Sequence, residues 1–199
     1  MDRNQVFIKD CKITDIPWHC LATAYGRATD FPQYFESLIS SDMAIADKAG
    51  EQIEINIEHQ STLWPATPFA MIFLARLFVK LLSNMEQDVH RYVVVNLLDM
   101  FVNIAKSCTM GNEMEHAEPL ALFEDMLKEE YLWPEEYDED EDEARYEEDS
   151  GPFPDNLFYS FYYYSNEVLK FNKDILYEHV ASADKEIAVK IKCLLLLIN

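Results

Sequence analysis

The chain has 199 residues, and its 37 acidic side chains outnumber its 16 basic ones, so the formal net charge at pH 7 is −21. A surface this negative repels nucleic-acid phosphates, which argues against direct binding to DNA or RNA. Hydrophobic residues make up 49% of the chain and aromatic residues 13%. A sizeable core can therefore form without disulfides or metals, and we expect one domain over residues 1–199 with no cofactor or metal.

The cysteines and the N-terminus both predict a cytoplasmic protein. The four cysteines are scattered without a C-x-x-C pair, which favours reduced thiols. The first twenty residues lack the apolar stretch and the cleavage site of a secretory signal. The two most apolar stretches, residues 68–82 and 187–198, are shorter than the roughly 20 residues that a membrane span requires. No membrane association is therefore expected.

The N-terminal part of the chain predicts short elements. Residues 1–14 mix apolar and charged side chains and predict an irregular arm, or an edge strand at residues 6–8. A short helix is predicted to open at Pro17 and to end at a cap formed by Gly26. Asp30, which precedes a Phe-Pro pair, is typical of a helix N-cap with proline in the first turn.

Two apolar periodic segments follow, separated by a polar turn. Asp42 is predicted to cap a helix whose small and branched residues recur at helical spacing as far as Ile57. Thr67, followed by proline, is predicted to cap the next helix, residues 68–82. This second helix is apolar almost all round, so we expect it to lie at the centre of the fold.

The helices from residue 68 onward predict the architecture. Arg76 and Lys80 mark the only polar stripe of the central helix, and another helix is predicted at residues 86–108. Short turns that repeatedly join antiparallel helix pairs are typical of a solenoid, in which each pair covers the apolar face of the one before. The sequence therefore predicts an all-α fold, an α-solenoid of antiparallel helix pairs.

The C-terminal third predicts two further helices, one of them rich in tyrosine. The first covers residues 156–181, and its tyrosines lie on all sides, so some of them must face solvent. Tyr159 and Tyr163 are the candidates for a binding surface, since tyrosine offers a large contact area at low entropic cost. Asp184 is predicted to cap the last helix, residues 185–199.

Two sequence motifs stand out in the first half of the chain. The first is I-P-W, followed by A-Y-G-R-A-T-D, within residues 16–32, and the second is H-Q-S-T, followed by A-T, within residues 59–67. Together they resemble the opening of small bacterial HEAT-repeat-like proteins, some of which are regarded as immunity proteins, over residues 16–105. Ser61 departs from that pattern, which usually has glycine there, as does the acidic insertion after Trp133. The resemblance implies that the fold is a HEAT-like α-solenoid of antiparallel helix pairs that binds another macromolecule.

The polar residues of the second motif favour structural roles over catalysis. His59 and Gln60 lie at a predicted helix end, where their side chains can satisfy last-turn carbonyls. A general base or metal ligand at His59 is the alternative, but the five histidines show no H-x-x-x-H spacing. The chain also lacks a G-x-S-x-G motif and a phosphate-binding glycine loop. We therefore do not expect an enzyme.

Residues 135–149 carry eleven carboxylates and one cation, Arg145. With little to bury, they predict a flexible acidic insertion, at about residues 134–155, that lacks a packed conformation. The insertion is either a solvated, self-repelling loop or an electrostatic arm for a basic partner, whereas an EF-hand calcium loop is disfavoured because its glycine and terminal glutamate are missing. The candidate partner-binding residues are Glu136, Asp138, Glu139, Asp140, Glu141, Asp142, Glu143, Tyr159 and Tyr163.

Two hypotheses describe a protein-binding module, and an enzyme of an unrecognised kind is the third and least favoured. In the first, the chain is an immunity protein that binds and inhibits a basic, nuclease-type toxin, whose nucleic-acid cleft the acidic surface occupies as a phosphate mimic. In the second, it is an adaptor or scaffold solenoid without a toxin partner, and the acidic residues serve solubility. The oligomeric state stays open.

Overall fold

The computed structural model describes residues 1–85, 87–111, 117–146, 153–181 and 184–198. Within these ranges the protein is mostly helical, which confirms the helical class expected from the sequence. Its α-helices are α1 (Arg3–Asp10), α2 (Phe31–Ser37), α3 (Met43–Ile57), α4 (Thr67–Leu82), α5 (Asp88–Gly111), α6 (Glu139–Tyr146), α7 (Asp155–Phe171), α8 (Lys173–Val180) and α9 (Lys185–Leu197). Short 3-10 helices lie at Ile13–Asp15, Trp18–Cys20, Phe123–Leu127 and Glu129–Tyr131.

Two short antiparallel hairpins accompany the helices. Strands β1 (Ala22–Thr23) and β2 (Gly26–Arg27) form the first hairpin, in which Thr23 pairs with Gly26. Strands β3 (Glu58–His59) and β4 (Thr62–Leu63) form the second, in which His59 pairs with Thr62. The first hairpin lies between a short 3-10 helix and α2, and the second joins the two long helices α3 and α4.

Helices α4 and α5 form the centre of the core. Helix α4 packs against α2, α5 and α7, and α5 packs against α3, α4, α7 and α9. Eleven of the 16 residues of α4 are buried, as its nearly uniform apolar sequence predicts. Of the described helices, none is both long enough and apolar enough to cross a membrane.

Several helix ends agree with the sequence, but the cap of α4 does not. Asp42 accepts a hydrogen bond from the Ala44 amide, and Asp184 accepts from the first turn of α9, so these two predicted N-caps are confirmed. Asp30 occupies the N-cap position of α2, but its side chain makes no capping hydrogen bond. Thr67 is already inside α4, and its buried hydroxyl donates to the Ile57 carbonyl at 2.5 Å. Thr67 therefore ties α4 to the end of α3 instead of capping α4.

The prediction for the first 26 residues was wrong. Residues 3–10 form α1, whose N-cap Asp2 and Gln5 make a reciprocal capping box, a pattern that stabilises even a short helix. The predicted helix that opens at Pro17 is replaced by a 3-10 turn and the first hairpin. Gly26 has φ +108° and lies in β2, so its special backbone serves a hairpin and not a helix cap.

Arg76 does not mark a solvated stripe. Its guanidinium donates to the carbonyls of Ile8 and Cys11, both at 2.6 Å, and of Lys9 at 2.8 Å. Partial burial lowers the pKa of Arg76. These bonds satisfy carbonyls at the end of α1 that lack partners within the helix, so Arg76 fastens α1 to the central helix.

The predicted tyrosine-rich helix is interrupted once. Helix α7 ends at Phe171, and α8 begins at Lys173, because the Asn172 side chain donates to the Val168 carbonyl at 2.9 Å and occupies a last-turn acceptor. Helix α5 begins at Asp88, close to the predicted start at Glu86, which lies outside the described residues. The predicted end of the last helix at Asn199 also lies outside them.

Candidate interaction surface

The acidic segment contains a helix, α6, whose charges suit helix formation. Four carboxylates occupy its first turn and Arg145 lies in its last turn, an order that complements the helix dipole. The Asp138 side chain accepts a hydrogen bond from the Glu141 amide at 3.1 Å, as an N-terminal cap does. The sequence thus contained a signal for this helix, but the high density of carboxylates led to the prediction of a flexible segment instead.

Arg27 on β2 holds α6 against the protein. Its Nε and Nη2 atoms donate to the two carboxylate oxygens of Asp142 at 2.6 and 2.7 Å. The two side chains are only 5% and 8% exposed. This two-point geometry is the strongest form of an arginine–carboxylate pair, and the hydrogen bond to Asp142 raises the pKa of Arg27.

The same guanidinium also fixes the chain that leads into α6. Its Nη1 donates to the carbonyls of His19 at 2.9 Å and Pro134 at 2.5 Å, and its Nη2 lies 3.3 Å from the Glu136 carbonyl. The Arg27 Cζ atom lies 5.6 Å from the centre of the Trp133 ring and 5.4 Å from that of Tyr137, within the range of cation–π attraction. One arginine therefore organises residues 133–142.

Tyr146 anchors the other end of α6. Its hydroxyl donates to the Thr23 carbonyl at 2.7 Å and accepts from the Gly26 amide at 3.3 Å. Its ring meets the rings of Trp64 and Trp133 edge-on, at centroid distances of 5.5 and 5.2 Å. Burial raises the pKa of Tyr146 to about 12. Helix α6 is therefore fastened to the first hairpin near its middle, at Asp142, and at its C-terminal end, at Tyr146.

Two expectations for this segment are corrected. Residues 134–146 do not lack a packed conformation, because Asp142 and Tyr146 place α6 against the first hairpin. Asp142 is 6% exposed and paired with Arg27, so its carboxylate is not available to a partner. The other predicted acidic site residues are exposed: Glu136, Asp138, Glu139, Asp140, Glu141 and Glu143. The end of the segment, residues 147–152, lies outside the described residues.

Tyr159 and Tyr163 lie on another part of the molecule. Their rings are 6.4 Å apart on α7, and Tyr163 is 36% exposed whereas Tyr159 is partly buried. Burial, followed by the negative charges of Glu167 and Asp2, raises the pKa of Tyr163, and α7 packs against α1. Within the described ranges, no hydrogen bond or ring contact connects either tyrosine to α6. The predicted site residues therefore do not form one surface.

A second concentration of carboxylates lies between α3 and α5. It surrounds a groove of about 330 Å³, whose walls include Asp47, Glu51, Glu54 and Asp99. Glu54 is an exposed residue, but partial desolvation of its carboxyl group and the neighbouring carboxylates Glu58, Asp99 and Glu51 raise its pKa. Unlike Asp142, Glu54 thus lies in a locally repulsive field.

His59 does not cap a helix. It lies in β3, where its ring meets that of Tyr25 edge-on at 5.2 Å, and the Tyr25 hydroxyl is 3.2 and 3.3 Å from the two ring nitrogens. Among the residues that the structure describes, no group of three or more histidine, cysteine, aspartate or glutamate side chains is placed to hold a metal. His59 and Tyr25 instead join the two hairpins at their exposed ends.

Sequence reasoning missed Arg27, Tyr25 and Tyr146, which build this surface. Arg27 was noticed only as part of the A-Y-G-R-A-T-D motif, and its partner Asp142 is 115 residues away. A comparison with models of protein families and searches of curated proteins and of solved structures found no match to the chain. The functional interpretation therefore depends on the geometry of the surface.

Proposed function

We propose that the chain is a cytoplasmic protein-binding module with a HEAT-like solenoid fold, and that it binds and inhibits a basic, nuclease-type toxin. Support for the solenoid comes from the order of the helix contacts. Helix α2 packs on α3, α4 on α5, and α8 on α9, and contacts of α2 with α4, α3 with α5 and α5 with α9 join these pairs. Stacked helix pairs of this kind are typical of helical repeats, although α7 packs across both α4 and α5 and adds to that pattern.

The observation that carries the binding proposal is the seating of α6. Arg27 neutralises the one buried carboxylate of the helix, while Glu139, Asp140, Glu141 and Glu143 remain exposed. Because the helix is held at Asp142 and at Tyr146, these charges form a fixed array whose ordering precedes binding, which reduces the entropy lost on association. A fixed negative array can take the place of phosphates on a basic partner surface that normally contacts nucleic acid. The net charge of −21 extends the electrostatic field of the array.

The experiment starts with the partner and then tests the charges. Tagged protein is used to capture partners from cells of its source, and a partner identified by mass spectrometry is purified for kinetic measurements. In the test variant, Glu139, Asp140, Glu141 and Glu143 become Gln or Asn, whereas Asp138 and Asp142 are kept because they cap and hold α6. The control variant neutralises four exposed carboxylates on other helices, Asp10, Glu36, Asp174 and Glu178.

The proposal predicts a basic partner whose association rate falls by about ten-fold in the test variant at low salt. The association rate of the control variant should fall much less. Both variants remove four negative charges from the long-range field, but the control leaves the acidic array on α6 intact. Added salt should slow association of the wild type more than that of the test variant. A neutral or acidic partner, or an association rate indifferent to α6 and to salt, would favour the adaptor instead.

A further inference from the structure

The ends of the two hairpins form a second exposed surface next to α6. Tyr25, at the end of the first hairpin, is 62% exposed, although its ring and hydroxyl contact His59 of the second hairpin. Gln60 and Ser61 form the end of the second hairpin, and Gln60 is exposed. A large aromatic side chain kept in solvent on a fixed loop is typical of an energetic centre in a protein interface.

The hairpins are held rigidly below these ends. The Ala24 amide donates to the Asn56 carbonyl at 3.0 Å, and the Thr23 hydroxyl lies 2.8 Å from the Asn56 side-chain oxygen. The Tyr162 hydroxyl accepts from the Leu63 amide at 3.3 Å. Helices α3 and α7 therefore position both hairpins, while the exposed ends themselves contribute little to the core. Side chains fixed in this way bind with less loss of conformational entropy.

The second hairpin also has a backbone that its sequence does not favour. Gln60 and Ser61 have φ values of +53° and +66°, the left-handed region that a two-residue hairpin of this type normally fills with Asn-Gly. Left-handed geometry is unfavourable for residues with a β-carbon. The Glu58 side chain offsets part of this strain by accepting from the Ser61 amide at 2.6 Å. Such backbone strain concentrates at functional sites.

The electrostatic surroundings indicate what these ends bind. Arg27, the cation of the first hairpin, has its charge paired with Asp142. Tyr146 connects the first hairpin to α6, so the exposed carboxylates of that helix lie alongside. A tyrosine ring attracts a guanidinium over its face, and Tyr137 already receives Arg27 in this way.

We propose that the two hairpin ends, with Tyr25 as the principal contact, recognise an arginine side chain of the partner protein. This inference rests on the proposed function, because it assumes that the partner is basic. In this arrangement α6 accelerates the encounter, and Tyr25 slows dissociation. The hairpins thus supply the aromatic binding surface for which Tyr159 and Tyr163 were the candidates.

A defined probe separates the two surfaces. The probe is an acetylated and amidated nonapeptide with three Gly-Gly-Arg units, and its control has citrulline, which is neutral, at each arginine. Binding to the isotope-labelled full-length protein is followed by the movement of amide signals in NMR spectra. We expect the arginine peptide to move the signals of Tyr25, Gly26, Gln60 and Ser61, and the citrulline peptide to leave them in place.

Three variants test the role of the ring. Tyr25→Ala should weaken binding of the peptide at least about five-fold, whereas Tyr25→Phe should retain it, because the aromatic face is kept. Tyr177→Ala is the matched control, since Tyr177 is 52% exposed on α8, which packs against α7 and α9. Equal binding by wild type and Tyr25→Ala, equal losses in Tyr25→Phe and Tyr25→Ala, or equal binding of the citrulline peptide would each overturn the inference.

The pattern of the signals shows which proposal fails. Movement confined to α6, with Tyr25→Ala binding like the wild type, overturns the hairpin inference and leaves the acidic surface of the proposed function standing. Movement confined to the hairpin ends, and unchanged when the exposed carboxylates of α6 are neutralised, supports the hairpin inference and overturns the proposed role of α6. Absence of any movement with the arginine peptide overturns both proposals.

Discussion

Helices α4 and α6 are held in place by opposite means. Helix α4 buries eleven of its 16 residues and contacts the protein on several sides. Helix α6 has one buried residue, Asp142, and is fastened by Arg27 at that point and by Tyr146 at its end. Removing any one contact from α4 leaves many others, whereas the position of α6 depends on two side chains.

This difference separates stability from function. The burial of α4 and its neighbours stabilises the fold through the hydrophobic effect, which is nearly independent of the direction of each contact. Helix α6 contributes little apolar burial, so its attachment by one ion pair and one tyrosine serves to position its exposed charges. Because the fixed position of α6 adds little to the stability of the core, we interpret it as a binding surface.

The largest expected effect is a loss of stability when a buried side chain of α4 is shortened. Leu74 is completely buried in α4, so Leu74→Ala should lower the free energy of unfolding by about 2–5 kcal/mol, through lost burial and the cavity that remains. Denaturant titration measures this loss. Lys80→Ala, at an exposed position of the same helix, should change stability by no more than about 0.5 kcal/mol. Similar losses in the two variants would contradict the central position of α4.

A smaller effect concerns Glu54, a carboxylate whose ionisation is opposed by its neighbours. The pKa of Glu54 is raised by partial desolvation and by neighbouring carboxylates, so ionisation of Glu54 is harder in the folded protein than in the unfolded chain. The corresponding stability is fully present below the unfolded pKa and is lost as the pH rises through the folded pKa. Glu54→Gln, which removes this ionisation, should therefore be more stable than the wild type at pH 7 but not at pH 3.5.

Denaturant titration at the two pH values measures this difference. Glu36→Gln, at an exposed position of α2, controls for the loss of one negative charge from a chain with a net charge of −21. A Glu54→Gln variant that is less stable than the wild type at pH 7 would show that Glu54 has a favourable partner, as Asp142 has.

The contrast between α4 and α6 also explains which parts of the fold the sequence could predict. The 3.6-residue period of apolar side chains identified α3, α4, α5, α7 and α9, because each buries one or more faces. The hairpins were missed, since two-residue strands are too short to show an alternating pattern and their bonds join residues far apart, such as Thr23 and Asn56. A local sequence pattern cannot predict contacts between residues so far apart in the chain.

Of the candidate site, the sequence could predict only that it is strongly acidic. The concentration of carboxylates located the acidic surface, but not the one carboxylate, Asp142, that turns inward to Arg27. The tyrosines were chosen from the densest aromatic run, whereas the most exposed tyrosines near α6 are Tyr25 and Tyr137. Exposure depends on which neighbours cover a side chain, and that is a property of the tertiary structure.

Hydrogen exchange of α6 tests most directly whether this helix is a fixed acidic surface. We expect the amides of residues 142–146 to be protected in the wild type and to exchange at least about ten-fold faster in Asp142→Ala, because the pair with Arg27 is lost. Intrinsic helix propensity cannot cause that change, since alanine favours helix more than aspartate does. Glu143→Ala, at an exposed neighbouring position, and the amides of α4 should keep the wild-type protection. Rapid exchange of α6 in the wild type, or equal protection in Asp142→Ala, would contradict the account.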